Sequence, residues 1–217
     1  MRLRLLPFTV VVAASLVLGS CSSSKDDNAA PGTTAAGAGS TTTAEPAPVG
    51  PTSDRELEAL LVTAVPARFA LQPDDVGDTG PSDLAKAIRD DPTPGTEEAL
   101  RSEGFVRGYQ RYWAGPSDAE LVVFVYQFET PAGATADFLR GKGVLSAGMP
   151  RGSTPFTVDG IPAGDSRGII GSSPDMSVAI VQFTTGVFNV QVTCNGPAAA
   201  GLQERASTIA KDQYDRL

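Results

Sequence analysis

Residues 53–217 predict an α+β domain: an antiparallel sheet of about five strands, helices at both ends and one inserted helix. Three observations carry the prediction. The segment "VFNVQVTC" (187–194) alternates cleanly, with Phe188, Val190, Val192 and Cys194 on one face and Asn189, Gln191 and Thr193 on the other. Residues 104–113 and 120–129 are rich in aromatic and β-branched side chains. Apolar residues recur at helical spacing at both ends, as Leu57, Leu60, Leu61 and Ala64 and as Leu202, Ala206, Ile209 and Ala210.

The elements follow in order. Ser53-Asp54-Arg55-Glu56 reads as a capping box before "LEALLVTAV", with Pro66 as the stop. Residues 69–83 are loop-rich, and 82–89 make a short helix. Thr96 caps another, and Gly104 suits its C-terminal end. The strand at 120–129 is apolar on both faces, so it belongs in the middle of the sheet. Thr130-Pro131 opens the inserted helix, with Ala134, Phe138, Leu139 and Leu145 facing inward. Residues 166–171, 176–184 and 187–194 form an antiparallel meander with Thr185-Gly186 as its last turn. A helix over 198–216 ends the chain.

Ahead of the domain lie two segments of different composition. Arg2 and Arg4 precede an apolar run from Leu5 to Leu18, shorter than the roughly 20 residues of a membrane span. Small residues then lead to Cys21. Leu18-Gly19-Ser20-Cys21 resembles the bacterial lipobox. The resemblance implies that residues 1–20 are a signal peptide, that the thiol of Cys21 takes a diacylglyceryl group, and that cleavage leaves Cys21 first. Two or more acyl chains give stable anchoring at about 0.8 kcal/mol per buried methylene. Residues 21–52 are then the lipidated Cys and a disordered tether. Its Ala, Gly, Ser, Thr and Pro cannot build a core. It spans roughly 30 Å as a coil and about 100 Å if stretched. Thr41, Thr42 and Thr43 are candidate sugar acceptors, or simply part of a solvated linker.

Charge and composition exclude several classes. The chain has 17 Lys+Arg against 25 Asp+Glu, a net charge of −8. Loss of residues 1–20 removes two of the basic residues and none of the acidic. This balance argues against nucleic acid, whose phosphates need clustered Lys and Arg. No histidine is present in the 217 residues. Ser-His-Asp and Cys-His catalysis and His-ligated metal sites are therefore unavailable. Ser22-Ser23-Ser24-Lys25 has the letters of a Ser-Lys motif but lies in the tether. No P-loop occurs, and no cofactor is expected. Glu120 and Glu129 sit at opposite ends of one strand, roughly 30 Å apart, too far to act as a pair.

The pattern "GF-V-RGYQRYW … VYQFET-PAGA-ADFL … GIP" resembles extracytoplasmic domains of actinobacterial surface lipoproteins, across residues 53–217. A fold of the PsbP/Mog1 type is the structural analogy. The resemblance implies a membrane-anchored, cell-envelope protein on the outer face of the membrane. It would act as a non-catalytic binding or accessory module, with the bilayer as one partner and a wall polymer or envelope protein as another. The alternative is a carboxylate-dependent hydrolase of wall polymers.

Three places are candidate sites. Asp74, Asp75 and Asp78 crowd one loop and offer hard oxygen ligands for Ca²⁺, though solvated loop acids have the same look. Cys194 is either a reactive thiol or a small buried hydrophobe. On the strand at 105–113, Phe105, Arg107, Tyr109, Arg111 and Trp113 share a face. If that face is outward, Arg107, Tyr109, Arg111 and Trp113 form a contact surface for an anionic polymer or partner. If it is inward, the rings pack beneath a helix with the arginine stems over them.

Overall fold

The computed structural model describes residues 50–76, 79–197 and 201–217, without the side chains of 144 and 146–148. The lipobox, nearly all of the tether and Asp78 lie outside these residues. The fold is α+β, as the sequence predicts, and its sheet is larger than five strands. The strands are β1 (Ala70–Leu71), β2 (Gly80–Ser82), β3 (Phe105–Ala114), β4 (Glu120–Phe128), β5 (Thr154–Phe156), β6 (Ser166–Ser172), β7 (Ser177–Thr185) and β8 (Phe188–Gly196). The sheet order is β1-β3-β4-β8-β7-β6-β5, with β2 also on β3, and every pairing is antiparallel. The three added strands are two or three residues long, too short to show an alternating pattern. β4 is central, because its neighbours β3 and β8 pair along nearly its full length. β7 and β8 pair Thr185 with Phe188, so the turn is Gly186-Val187, one residue later than expected. Gly186 has φ +52, which suits a residue without a Cβ.

One face of the sheet is closed. Leu121, Val123 and Val125 of β4, Val190, Val192 and Cys194 of β8, and Ala179, Val181 and Phe183 of β7 face α5 (Leu202–Tyr214) and α1 (Asp54–Leu60). The alternation of β8 thus decides which of its residues are core. α5 presents Leu202, Ala206, Ile209, Ala210 and Gln213 to this face. Phe183 and Tyr214 meet edge to face at 5.6 Å.

α1 ends at Leu60, earlier than the apolar spacing suggests, and Ala64 is exposed. The chain leaves the helix because polar partners capture it. The Gln213 side chain accepts from the Val62 amide (2.8 Å) and donates to the Leu60 carbonyl (3.0 Å). Arg111 donates to the carbonyls of Leu61 (3.2 Å) and Val62 (3.0 Å). At the other end Ser53 caps the Glu56 amide, while the Glu56 carboxylate reaches Thr52 instead of the Ser53 amide of a strict capping box.

The second face carries α2 (Leu84–Asp90), α3 (Thr96–Ser102) and α4 (Pro131–Gly148). Gly95, at φ +90, is the N-cap of α3; Thr96 is its first residue. In α4, Thr130 caps the Gly133 amide, and Ala134 and Phe138 point inward as expected. Leu139 does not: it is 60% exposed. The buried side of α4 instead uses Gly133, Ala134, Asp137 and Phe138.

From Arg107 onward the ladder on β3 faces the α1 side; Phe105, across a register shift, does not share that face and packs on Tyr126 and Phe128 of the other. Tyr109 and Trp113 are 4% and 2% exposed, inside the main core. Arg111 is spent on α1, and Arg107 pairs with Asp54 at 3.2 Å. An exposed surface of Arg107, Tyr109, Arg111 and Trp113 is therefore corrected: α1 lies over that face, and the aromatic area goes into the core. Arg111→Ala is expected to destabilise by about 2 kcal/mol, through orphaned backbone carbonyls. Arg107→Ala, which breaks a half-exposed ion pair, should cost about 1 kcal/mol or less. Denaturant melts of the two variants check the contrast.

Candidate functional site

The second face is closed only in part. Register aligns its residues in rows across the strands. One row runs Thr184, Asn189, Tyr126, Gly108; the next Arg167, Gln182, Gln191, Phe124, Gln110; the next Ile169, Ile180, Thr193, Val122, Tyr112. Asn195 and Glu120 pair beyond these. α2 covers the β3–β4 side, where Lys86 Nζ stands 5.9 Å over the Phe124 ring. α4 covers β7, β8 and part of β4, and its Phe138 carbonyl accepts from Arg167 of β6 at 2.8 Å. Gly141 fits closely there: a Cβ would come within 3.3 Å of Arg167.

Between the helices a strip of sheet stays half-exposed. Tyr112, Glu120, Val122, Phe124, Gln191, Thr193 and Asn195 line it. Their neighbours on the opposite face, Leu121, Val123, Val192 and Cys194, are fully buried. The strip is wired by hydrogen bonds. Tyr112 donates to Glu120 at 2.9 Å, and Asn195 donates to the same carboxylate at 3.0 Å. Gln182 donates to Gln191 at 2.7 Å, and Gln191 to Thr193 at 3.3 Å. Burial, then the Glu120 bond, pushes the Tyr112 phenol up to about 12. Arg167 donates to Gln182 and stacks on Phe138 at 4.5 Å from the ring centre. Burial draws its guanidinium down to about 10.

Where α2 and α3 end against α4 lies an ionic knot. Arg140 holds Asp91 at 2.9 Å and Glu103 at 3.3 Å, and also Asp137. Asp137 is 5% exposed and accepts from Asn189.

Asp74 and Asp75 are exposed, and Asp74 Oδ1 lies 3.5 Å from the Tyr109 hydroxyl. Among the described residues no three carboxylates, thiols or imidazoles come together to hold a metal ion. No helix among them is long and apolar enough to cross a membrane.

Cys194 is fully buried on the closed face, and burial pushes its thiol up to about 12. It packs as a small hydrophobe. It should resist a thiol reagent at pH 8 in the native state and react at once in denaturant. Rapid labelling of the folded domain would show an open route to it.

No family model matches the sequence, and no curated protein matches it. Solved structures are similar in part. One of them is the extracellular domain of PknH from Mycobacterium tuberculosis, at 12% identity and a TM-score of 0.46. The match covers 77% of this chain and 99% of that one. A likeness of this size carries no inference about function.

The polar face of β8 was visible in the sequence as Asn189, Gln191 and Thr193. Its open part was not, because the path of α4 decides which of these residues is covered.

Proposed function

We propose that the chain is a lipid-anchored, extracytoplasmic binding module that holds a neutral, hydroxyl-rich envelope polymer on the strip between α2 and α4. The half-exposed strip carries the reading. Gln191, Thr193 and Asn195 offer donors and acceptors together, as sugar hydroxyls require. Tyr112, partly exposed, offers a ring to the C–H side of a sugar. The negative net charge disfavours a polyanion. Of the residues that line the strip, Glu120 alone is a carboxylate, so a two-carboxylate hydrolase has no pair there. The address rests on Leu18-Gly19-Ser20-Cys21 and on the composition of residues 22–52.

Both parts are open to test. Cys21→Ala should abolish incorporation of labelled palmitate; a variant that still labels refutes the anchor. For the strip, soluble neutral wall glycan is added to residues 21–217 carrying Cys21→Ala. The melting temperature should rise with glycan concentration, since a ligand of the native state stabilises it. Thr193→Tyr, which fills the strip, should abolish the rise. An equal rise in that variant, or none in the parent, removes the strip as the site.

A further inference from the structure

The knot around Arg140 holds too much negative charge for its cation. Asp91, Glu103 and Asp137 share one guanidinium within 4 Å. Asp91 and Glu103 are also the C-caps of α2 and α3, the ends where helix carbonyls point outward and disfavour an anion. Other charged groups stand near. Asp90 is held by Lys86 at 2.7 Å, and Arg167 approaches from β6. The Tyr126 phenol of β4 is pushed up by burial first and then by Asp90, Asp137 and Asp91. Asp137 is the most buried of the three carboxyls around Arg140.

A second observation points to the same atom. The Asn189 amide donates to Asp137 Oδ2, but its own Oδ1 is buried with no partner among the described residues. A buried orphan acceptor costs about 1–3 kcal/mol. An ionised carboxylate only accepts, so it uses one half of the amide. A carboxylic acid accepts and donates, so it uses both halves. Turning the amide end for end does not change this count.

We propose that Asp137 is a proton-binding site whose occupation tightens the packing of α2 and α3 on α4. One proton from solvent goes onto the Asp137 carboxyl. The neutral acid then donates to Asn189 Oδ1 while still accepting from the amide. Arg140 is left to serve the two remaining carboxylates. The direction of titration agrees. Burial raises Asp137 above the ordinary carboxyl value, against the pull of Asn189 and Arg140. A carboxyl raised in the folded state favours folding below its unfolded pKa, and that contribution is lost as pH rises through the folded pKa.

The test uses residues 21–217 with Cys21→Ala, free of the apolar run and of the acyl acceptor so that the chain stays in solution, labelled with ¹³C at aspartate. The Asp137 carboxyl carbon should titrate with a midpoint above the ordinary 3.9. Amides of α2 and α3, corrected for intrinsic exchange, should be several-fold better protected below that midpoint than above it. Asp137→Asn, the neutral isostere, should show the stronger protection on both sides of it. A wild-type midpoint at or below 3.9 overturns the proposal, even if the variant fails to fold. So does a variant that folds and keeps the pH dependence.

Discussion

Gln213→Ala should lower the melting temperature by roughly 10 °C. Gln213 is fully buried on α5, and its amide closes two backbone groups, the Val62 N–H and the Leu60 carbonyl. Truncation orphans both and leaves a cavity. At about 1–3 kcal/mol for each orphan, the loss is roughly 3–5 kcal/mol. A domain of this size moves by about 2–4 °C per kcal/mol. Gln213→Glu sharpens the result. An ionised glutamate can still accept from Val62 but cannot donate to Leu60, and its charge is buried. Protonation restores the donor. The Glu variant should therefore regain stability as pH falls, with its folded pKa raised and its deficit growing as pH rises. A Glu variant as stable as wild type at pH 7.5 would show that the amide is not the clasp.

Gly133→Ala should also destabilise, by about 3 kcal/mol, although alanine is the better helix former by about 1 kcal/mol. A Cβ there would lie 1.9 Å from the Glu103 carbonyl oxygen and 3.4 Å from the Phe128 Cβ. The nearer contact is to backbone, so no flexible tip can swing away. α3 and α4 must part, and Glu103 goes with α3. Chemical denaturation gives the sign directly: a gain in stability would mean the helices do not touch at Gly133.

The two sides of the sheet were unequally legible. Alternation in β8 and the helical spacing in α5 each gave a sharp inside and outside, and both hold in the structure. β3 carries large side chains on one face and smaller or polar ones on the other, and both faces read as ambiguous. Its outcome was fixed by α1, forty-five residues or more away in sequence, through Arg111 and the carbonyls of Leu61 and Val62. α4 misled differently. Leu139 was read as inward because it is large and apolar. The close approach of α4 depends instead on glycines, which carry no hydrophobic signal. Asp137 is buried for the same reason, since a charged residue on a helix ordinarily reads as solvent-facing. The candidate strip then depends on what α2 and α4 leave uncovered, which no local pattern encodes.

The first described residue, Gly50, has its own consequence. A Cβ there would meet Gln127 at 2.5 Å and Val187 at 3.4 Å, so the incoming chain is seated at the β7–β8 turn. Glu120 and Asn195 lie at the opposite end of the same strands, seven residues along β4, or about 23 Å. A ligand at Glu120 and Asn195 would therefore stay clear of the chain that enters at Gly50.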